Sequence, residues 1–101
     1  MAGIYKRFAG AASNQSLITK GSGVSGNIKK ILITNEDSAI TKATVDLYDG
    51  STTFVIIKEV EIPVSSSLVL TDNIAFDSNI FNLRITTSGT RTPTETVIIK
   101  L

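Results

Sequence analysis

The chain has 101 residues, a formal net charge of +1, and neither cysteine nor histidine. This length suits a single folded domain. The missing residue types exclude disulfides, thiol chemistry and histidine-based acid–base or metal sites, and the near-neutral charge provides no strong field toward nucleic acid or an anionic membrane. No apolar run is long enough for a signal peptide or a membrane span, so we expect a soluble chain that is made in a cytoplasm.

The first 26 residues differ in composition from the rest of the chain, because alanine, glycine and serine dominate them. Residues 4–8 form a short amphipathic cluster within this segment, and residues 17–19 are apolar enough for a further short strand. The run Gly21–Gly26 predicts a pliable connector, with an ordinary loop as the alternative. We therefore predict an N-terminal arm over residues 1–26, with one or two short edge strands, and a β-sandwich domain over residues 27–101.

The middle of the chain alternates between apolar and polar residues with the period of two that β-strands require. This pattern predicts strands over Asn27–Thr34, Lys42–Tyr48 and Thr52–Ile62. Asp49 and Gly50 predict a hairpin turn before the third of these strands, because glycine tolerates the positive φ of tight turns. Pro63 should end that strand, since proline has no N–H to donate to the ladder.

The remaining strands are predicted over Ser66–Leu70, Ile80–Thr87 and Thr94–Leu101. Between the first two lies a polar crossing, residues 71–79, in which Ile74 and Phe76 are expected to plug one end of the core. These six strands and up to two weaker ones recur with turn signals about every ten residues, as in β-sandwiches. We predict an all-β, antiparallel β-sandwich of the jelly-roll or immunoglobulin-like type, with about seven or eight strands.

Several strands carry apolar residues on both faces, although a half-buried strand should be polar on its outer face. Leu32, for example, lies between Ile31 and Ile33. These outward side chains could be covered by the arm or by neighbouring subunits. They could also remain exposed, which is harmless if they are scattered over the surface. Our hypothesis is a protein–protein interface formed by the outward residues and the arm. Its predicted members are Ile4, Tyr5, Lys6, Arg7, Phe8, Val55, Ile57, Val69 and Ile98.

We find no residue set for catalysis, and we predict no enzyme activity, no cofactor and no metal site. Lys58 interrupts the apolar face of its strand and is the one unusual lysine, but an edge residue or a β-bulge at Lys58-Glu59 explains it more simply. The carboxylates at residues 36–37 and 59–61 have no evident partner that would separate their pKa values. Four aspartates, at positions 46, 49, 72 and 77, leave calcium binding as a weak alternative without calcium-loop spacing.

Parts of the sequence resemble small virion structural proteins of tailed bacteriophages, particularly those of marine and cyanobacterial hosts. The resemblance rests on the start Met-Ala-Gly-Ile-Tyr-Lys-Arg-Phe, on Lys-Lys-Ile-Leu-Ile-Thr-Asn and Ala-Thr-Val-Asp-Leu-Tyr-Asp-Gly, and on Glu-Ile-Pro-Val followed by Leu-Val-Leu. It covers most of residues 1–87 and concerns general layout. It implies a β-sandwich that assembles in many copies on a capsid, neck or tail, with other virion proteins as partners, and it transfers no catalytic residue.

The resulting functional expectation is a non-enzymatic capsid decoration or cement protein, located in the virion and forming homo-oligomers. A neck or tail component is the nearest variant. A module that binds carbohydrate or a host surface is the alternative from another class. That alternative requires exposed aromatic residues at one loop end, where Tyr48, Phe76 and Phe81 are the candidates.

Overall fold

A computed structural model describes residues 3–9, 13–23, 25–71, 74–89 and 94–101. Within these ranges the chain forms ten strands and no helix, and every pairing between strands is antiparallel. The predicted all-β, antiparallel class is therefore confirmed. The strands are β1 (Gly3–Ala9), β2 (Gln15–Ile18), β3 (Ser25–Ile28), β4 (Lys30–Asn35), β5 (Thr41–Tyr48), β6 (Thr53–Ile62), β7 (Ser67–Leu70), β8 (Ile74–Asp77), β9 (Asn82–Gly89) and β10 (Thr94–Lys100).

The strand pairing follows one nested scheme. β1 pairs with β10, β2 with β9, β3 with β8, β4 with β7 and β5 with β6. The chain is thus one long hairpin whose tip is the β5–β6 turn. This hairpin is rolled up, because β10 also pairs with β4 and β9 also pairs with β5. The result is a sheet A of order β1-β10-β4-β7, a sheet B of order β2-β9-β5-β6, and the separate pair β3-β8.

Both four-stranded sheets contribute side chains to one hydrophobic core. The alternation predicted from the sequence decides which residues face it, since inward residues are two apart. Ile31, Ile33, Val97 and Ile99 come from sheet A, and Ala43, Val45, Leu47, Leu83 and Ile85 come from sheet B. Phe76 is buried in the core, and Ile74 packs against it.

Residues 1–26, predicted to be an arm, supply the edge strands β1 and β2 and the beginning of β3. Leu17 and Ile18 in β2 are buried members of the common core. The described part of this segment therefore packs with residues 27–101 in one unit. Its role as a separable arm remains a prediction, and Val24 in the predicted connector lies outside the described residues.

The β5–β6 hairpin forms where Asp49 and Gly50 predicted it. Gly50 has a φ of 108°, which disfavours any residue with a side chain. The Asp49 carboxylate accepts hydrogen bonds from the backbone N–H groups of Ser51 and Thr52, at 2.8 and 2.6 Å. These bonds lower the pKa of Asp49. The hairpin is thus held by the local chemistry of its four turn residues.

β6 contains a bulge at Lys58-Glu59, one of the two explanations considered for Lys58, and it also lies at the edge of its sheet. Ala43 pairs with Val60 but Val45 pairs with Ile57, so β6 has an extra residue between these two pairs. Glu59 adopts a φ of 50° and donates its N–H to Thr44 Oγ1 at 2.9 Å. A second register shift follows between Val45 and Asp46. The first shift reverses the alternation at Lys58-Glu59, which sets Ile57 opposite Val45, and the second shift restores it at Val55.

The core ends in a buried polar cluster next to the end of β4. Asn35, Thr41, Thr87 and Glu95 are all buried, and Asn35 pairs with Glu95 across β4 and β10. Thr87 Oγ1 donates to Glu95 Oε1, which links sheet B to sheet A. Glu95 Oε2 has no hydrogen-bond partner among the described residues. The cluster therefore contains a buried carboxyl whose charged form is incompletely compensated.

Glu95→Gln is expected to stabilise the protein by about 1–3 kcal/mol at neutral pH, because it removes a buried charge and keeps the acceptor for Thr87. Burial raises the pKa of Glu95; the bond from Thr87 opposes this, and the Asp37 and Glu36 charges add to it. The folded state therefore holds the proton more tightly than the unfolded state. Wild-type stability should fall as pH rises from the unfolded pKa through the folded one. Urea denaturation at several pH values measures this slope, which should flatten in the variant; an unchanged slope would contradict the assignment.

Candidate interface

The outer face of sheet A carries a continuous apolar row across all four strands. The cross-strand register places Tyr5 opposite Ile98, Ile98 opposite Leu32 and Leu32 opposite Val69. We call these four residues the apolar row. Directly opposed side chains on one face lie about 5 Å apart, so the row is a contiguous strip about 15 Å long. Tyr5 is 70% exposed and Val69 45%, whereas Ile98 and Leu32 on the central strands are half-buried.

Lysines border the apolar row on one side. Lys100 pairs with Lys30 two residues further along the strands, on the same outer face. Both side chains are exposed, and neither forms an ion pair with any residue that the structure describes. This side of the row therefore carries uncompensated positive charge.

On the other side of the row the charges are already paired. Arg7 lies 3.5 Å from the Glu36 carboxylate, and Thr96 donates a hydrogen bond to the same oxygen. The bond from Thr96, with the nearby Arg7 guanidinium, lowers the pKa of Glu36. Thr34 and Ser67 share a hydrogen bond of 2.9 Å in the same row of residues. The face is therefore polar and largely neutral on this side, and its electrostatics are asymmetric about the apolar row.

The structure divides the predicted interface residues of the N-terminal segment between two faces. Tyr5 belongs to the apolar row, and Arg7 lies in the neighbouring polar row. Ile4 and Phe8 are half-buried and pack against the core. Lys6 shares their alternation but is exposed at the sheet edge. Tyr5 and Arg7 are therefore the members of this cluster that are placed to meet a partner on the outer face.

The other predicted residues are divided as well. Val69 and Ile98 join the apolar row. Val55 is 52% exposed but lies on β6 of sheet B, opposite Asp46. Ile57 was expected to point outward, and this placement is wrong, because the shift in β6 sets it opposite Val45 and against the core. The predicted residues thus do not form one continuous surface.

All four edges of the two four-stranded sheets are poorly suited to pairing with another chain. β2 and β7 have four residues each, and β6 is interrupted by its bulge. β1 is longer and pairs regularly with β10, but Lys6 sits between the inward residues Ile4 and Phe8. An inward charge on an edge strand prevents a further strand from adding there. Contacts with partners are therefore expected through a sheet face.

Lys6→Val is expected to open the β1 edge and to cause association, because it removes that inward charge and adds a β-branched residue. Light scattering at increasing protein concentration should show a larger rise in apparent mass than the wild type gives at the same concentration. Lys58→Val is the matched control, since the β6 bulge should block pairing there regardless of charge. An equal rise in both variants would indicate nonspecific hydrophobic association.

The aromatic residues considered for carbohydrate binding are engaged within the fold. The Arg84 guanidinium lies 4.2 Å from the ring centroid of Tyr48, and the Tyr48 hydroxyl donates to Gly50 O at 2.9 Å. Phe76 is buried, and half-buried Phe81 packs edge-to-face on Phe54 at 5.8 Å. This arrangement favours a structural role for these rings over sugar stacking.

The acidic side chains considered for calcium binding have separate local partners. Asp46 pairs with Arg84, Asp49 caps its hairpin, and Asp77 accepts from the N–H of Asn79 at 2.9 Å. Asp72 lies outside the described residues. In the described part of the chain no three acidic, histidine or cysteine residues are grouped to hold a metal ion. The same residues include no helix long and apolar enough to cross a membrane.

In comparisons with known proteins, no family model, curated protein or solved structure matches this chain.

Proposed function

We propose that this chain is a non-enzymatic structural protein of a tailed bacteriophage virion, and specifically a capsid decoration or cement protein. The single observation that carries the proposal is the apolar row on sheet A. Four apolar side chains aligned across one face form a solvent-facing apolar strip. Such strips on a protein surface mark interaction sites. Neighbouring virion subunits are the partners, and they cover this face.

We further propose that the fold is a two-layered jelly roll. The nested pairing, the rolling of β10 onto β4 and of β9 onto β5, and two four-stranded sheets with a shared core all support this assignment. The shortest dimension of the molecule, 20 Å, suits two sheets packed about 10 Å apart with their outer side chains. Jelly rolls of eight strands in two sheets occur in viral capsid proteins, which agrees with the proposed role without identifying it.

The N-terminal arm enters the proposal through β1. This strand lies at the edge of sheet A and presents Tyr5 and Arg7 on the outer face. A partner that covers the outer face of sheet A would therefore contact the arm and the outward apolar residues at the same time. Residues 1–2 and 10–12 on either side of β1 lie outside the described residues.

The proposal is tested on phage particles made without this protein, to which the purified chain is added. The wild type should bind, and its copy number per particle, measured by quantitative mass spectrometry, should scale with that of the major capsid protein. A low copy number restricted to necks or tails would support the neck or tail variant instead. Absence of binding to particles, together with absence from native virions, would overturn the proposal.

Leu32→Lys should reduce particle binding by about tenfold or more, because it places a charge at the centre of the apolar row. Val55→Lys is the matched control, since Val55 is exposed on the other sheet and should tolerate the change. Occupancy is measured for both variants after confirming equal thermal stability. Equal losses in the two variants would remove sheet A from the proposal.

A further inference from the structure

We infer that the outer face of sheet A binds the same face of a second copy, about a twofold axis that runs along the apolar row. This inference rests on the proposed function, because it names one neighbour of the face as another copy of this chain. Contacts between two copies are usually isologous, so the same patch must be complementary to itself. The positions of the charged side chains on this face determine the direction of the twofold axis.

Two faces that pack on each other are related by a twofold axis lying in the plane between them. If the axis runs along the strands, each row of residues lies over the same row of the second copy. Lys30 and Lys100 then lie against the lysines of the second copy. If the axis runs along the apolar row, the lysine side of one copy lies over the polar side of the other. Like charges repel, so the second arrangement, in which the lysines of one copy meet the largely neutral row of the other, is favoured.

In the favoured arrangement the lysines of one copy meet Glu36 of the other. Rows on one face are two residues apart, about 7 Å, so the lysine row and the Thr34–Thr96 row lie at equal distances from the apolar row. Thr96 holds the Glu36 carboxylate within that polar row. Lys30 and Lys100 of the second copy thus approach a carboxylate that Thr96 orients and that Arg7 of its own copy also contacts.

The apolar row packs on itself in the same arrangement. Each of its four residues lies over its own counterpart, and the highly exposed Tyr5 and Val69 gain the most burial. The chain thereby removes from water the apolar strip that its own core does not cover, and burial of apolar surface drives such association.

The size of the face sets the strength of the contact. Four strands at about 4.8 Å and three rows at about 7 Å cover roughly 20 by 20 Å, or about 400 Å² per copy. Stable interfaces bury about 800 Å² per partner. A pair of copies should therefore associate weakly in solution, and many such contacts would add up only in an array on a particle.

The experiment measures self-association of the full chain by sedimentation equilibrium up to about 1 mM, a range chosen for an interface of this size. The wild type should approach a dimer, and Leu32→Lys should weaken dimerisation at least tenfold. Val69→Lys is a second disruptive variant for use if Leu32→Lys is unstable. Lys58→Glu, on the β6 edge, is the control and should dimerise like the wild type.

A charge exchange tests the direction of the axis. Glu36→Lys and the double variant Lys30→Glu/Lys100→Glu should each dimerise about tenfold more weakly than the wild type, because like charges then face each other. A mixture of the two should form a mixed dimer at least as strong as the wild type. In that dimer the introduced lysine faces the introduced glutamates, and the native lysines of the first chain face the native Glu36 of the second.

The outcomes separate this inference from the proposed function. A wild type that stays monomeric at 1 mM, a disruptive variant that dimerises normally, or a mixture as weak as its components would overturn the inference. If Leu32→Lys still loses particle binding in that case, the proposed function stands and a different virion protein covers the face. If the chain dimerises as expected but never binds particles, the self-association stands and the virion role fails.

Discussion

Asn35→Ala is expected to lower the free energy of unfolding by about 3–5 kcal/mol, since several buried polar groups would lose their partner together. Asn35 is the last residue of β4 and is fully buried. Its Nδ2 donates to the carbonyl oxygens of Ala39 and Ile62 at 2.9 and 3.0 Å. Its Oδ1 accepts from the N–H of Asp37 at 2.9 Å and from Thr41 Oγ1 at 3.2 Å. One side chain thus connects β4, the following loop, β5 and the end of β6.

Urea denaturation of the wild type and the variant measures the expected loss. Asn82→Ala is the matched control, because Asn82 Oδ1 accepts one hydrogen bond from the exposed N–H of Lys20 and its removal should cost only about 1 kcal/mol. Asn35→Asp keeps the acceptor, removes the donor and places a second carboxyl opposite Glu95. It should be strongly destabilising at neutral pH and partly recover in acid. An Asn35→Ala variant within 1 kcal/mol of the wild type would contradict this account of the cluster.

Much of the fold could be predicted because it depends on local chemistry. The inward positions of β4, β5, β9 and β10 follow from a period of two that each strand displays by itself. Gly50 marks a turn and Pro63 a strand end for reasons contained in their own backbones, and β6 does end at Ile62. These features require no knowledge of which strand pairs with which.

The prediction failed where the outcome depends on pairing between distant segments. A bulge at Lys58-Glu59 was one of two explanations considered for Lys58, but the reversed alternation between the two register shifts of β6 was not considered, and Ile57 was therefore assigned to the wrong face. The predicted strand 27–34 is divided at Lys29 into β3 and β4, and β3 pairs with β8, which was predicted as part of a loop. Short strands of four residues leave too little periodicity to detect.

The candidate interface was also only partly predictable, because it depends on pairing between distant segments. Single strands indicated that Val69 and Ile98 point outward, and Leu32 showed the same signal although it was not included among the predicted residues. Their alignment with Tyr5 depends on three registers between segments that are far apart in the chain. Asn35 and Glu95, in contrast, share the inward alternation of Ile33 and Val97. A polar residue at an inward position was the available signal for the buried cluster.

The outer faces of the two sheets differ in the kinds of side chain that they present. Sheet A presents an apolar row beside lysines without ion pairs among the described residues. Sheet B presents Asp46 and Arg84, which pair with each other at 2.8 Å and are largely buried. Polar groups that are satisfied within the chain have little to offer a partner, whereas uncovered apolar groups do. Sheet B exposes Val55 on this face, but a row of apolar residues aligned across four strands is found on sheet A, which supports the proposal that partners bind there.

Arg84→Met should destabilise the fold by about 3–5 kcal/mol, because Asp46 would remain as a buried charge without its partner. Arg84 also stacks on the Tyr48 ring and donates from Nη2 to Thr53 Oγ1, so it links the charge pair to the β5–β6 hairpin. Denaturation of Arg84→Met, Asp46→Leu and the double variant forms a complete cycle. The double variant should be much closer to the wild type than either single variant, since it removes both charges together.

Arg84→Lys is the informative companion to that cycle, because it keeps the charge but lacks the planar group that bonds Asp46 and stacks on Tyr48 at once. It should lose about 1–2 kcal/mol, between the wild type and Arg84→Met. If Arg84→Lys were as unstable as Arg84→Met, geometry rather than charge compensation would dominate the contribution of the pair. If Arg84→Met lost less than about 1 kcal/mol, Asp46 would have to be solvated in the fold, contrary to its burial beside the guanidinium.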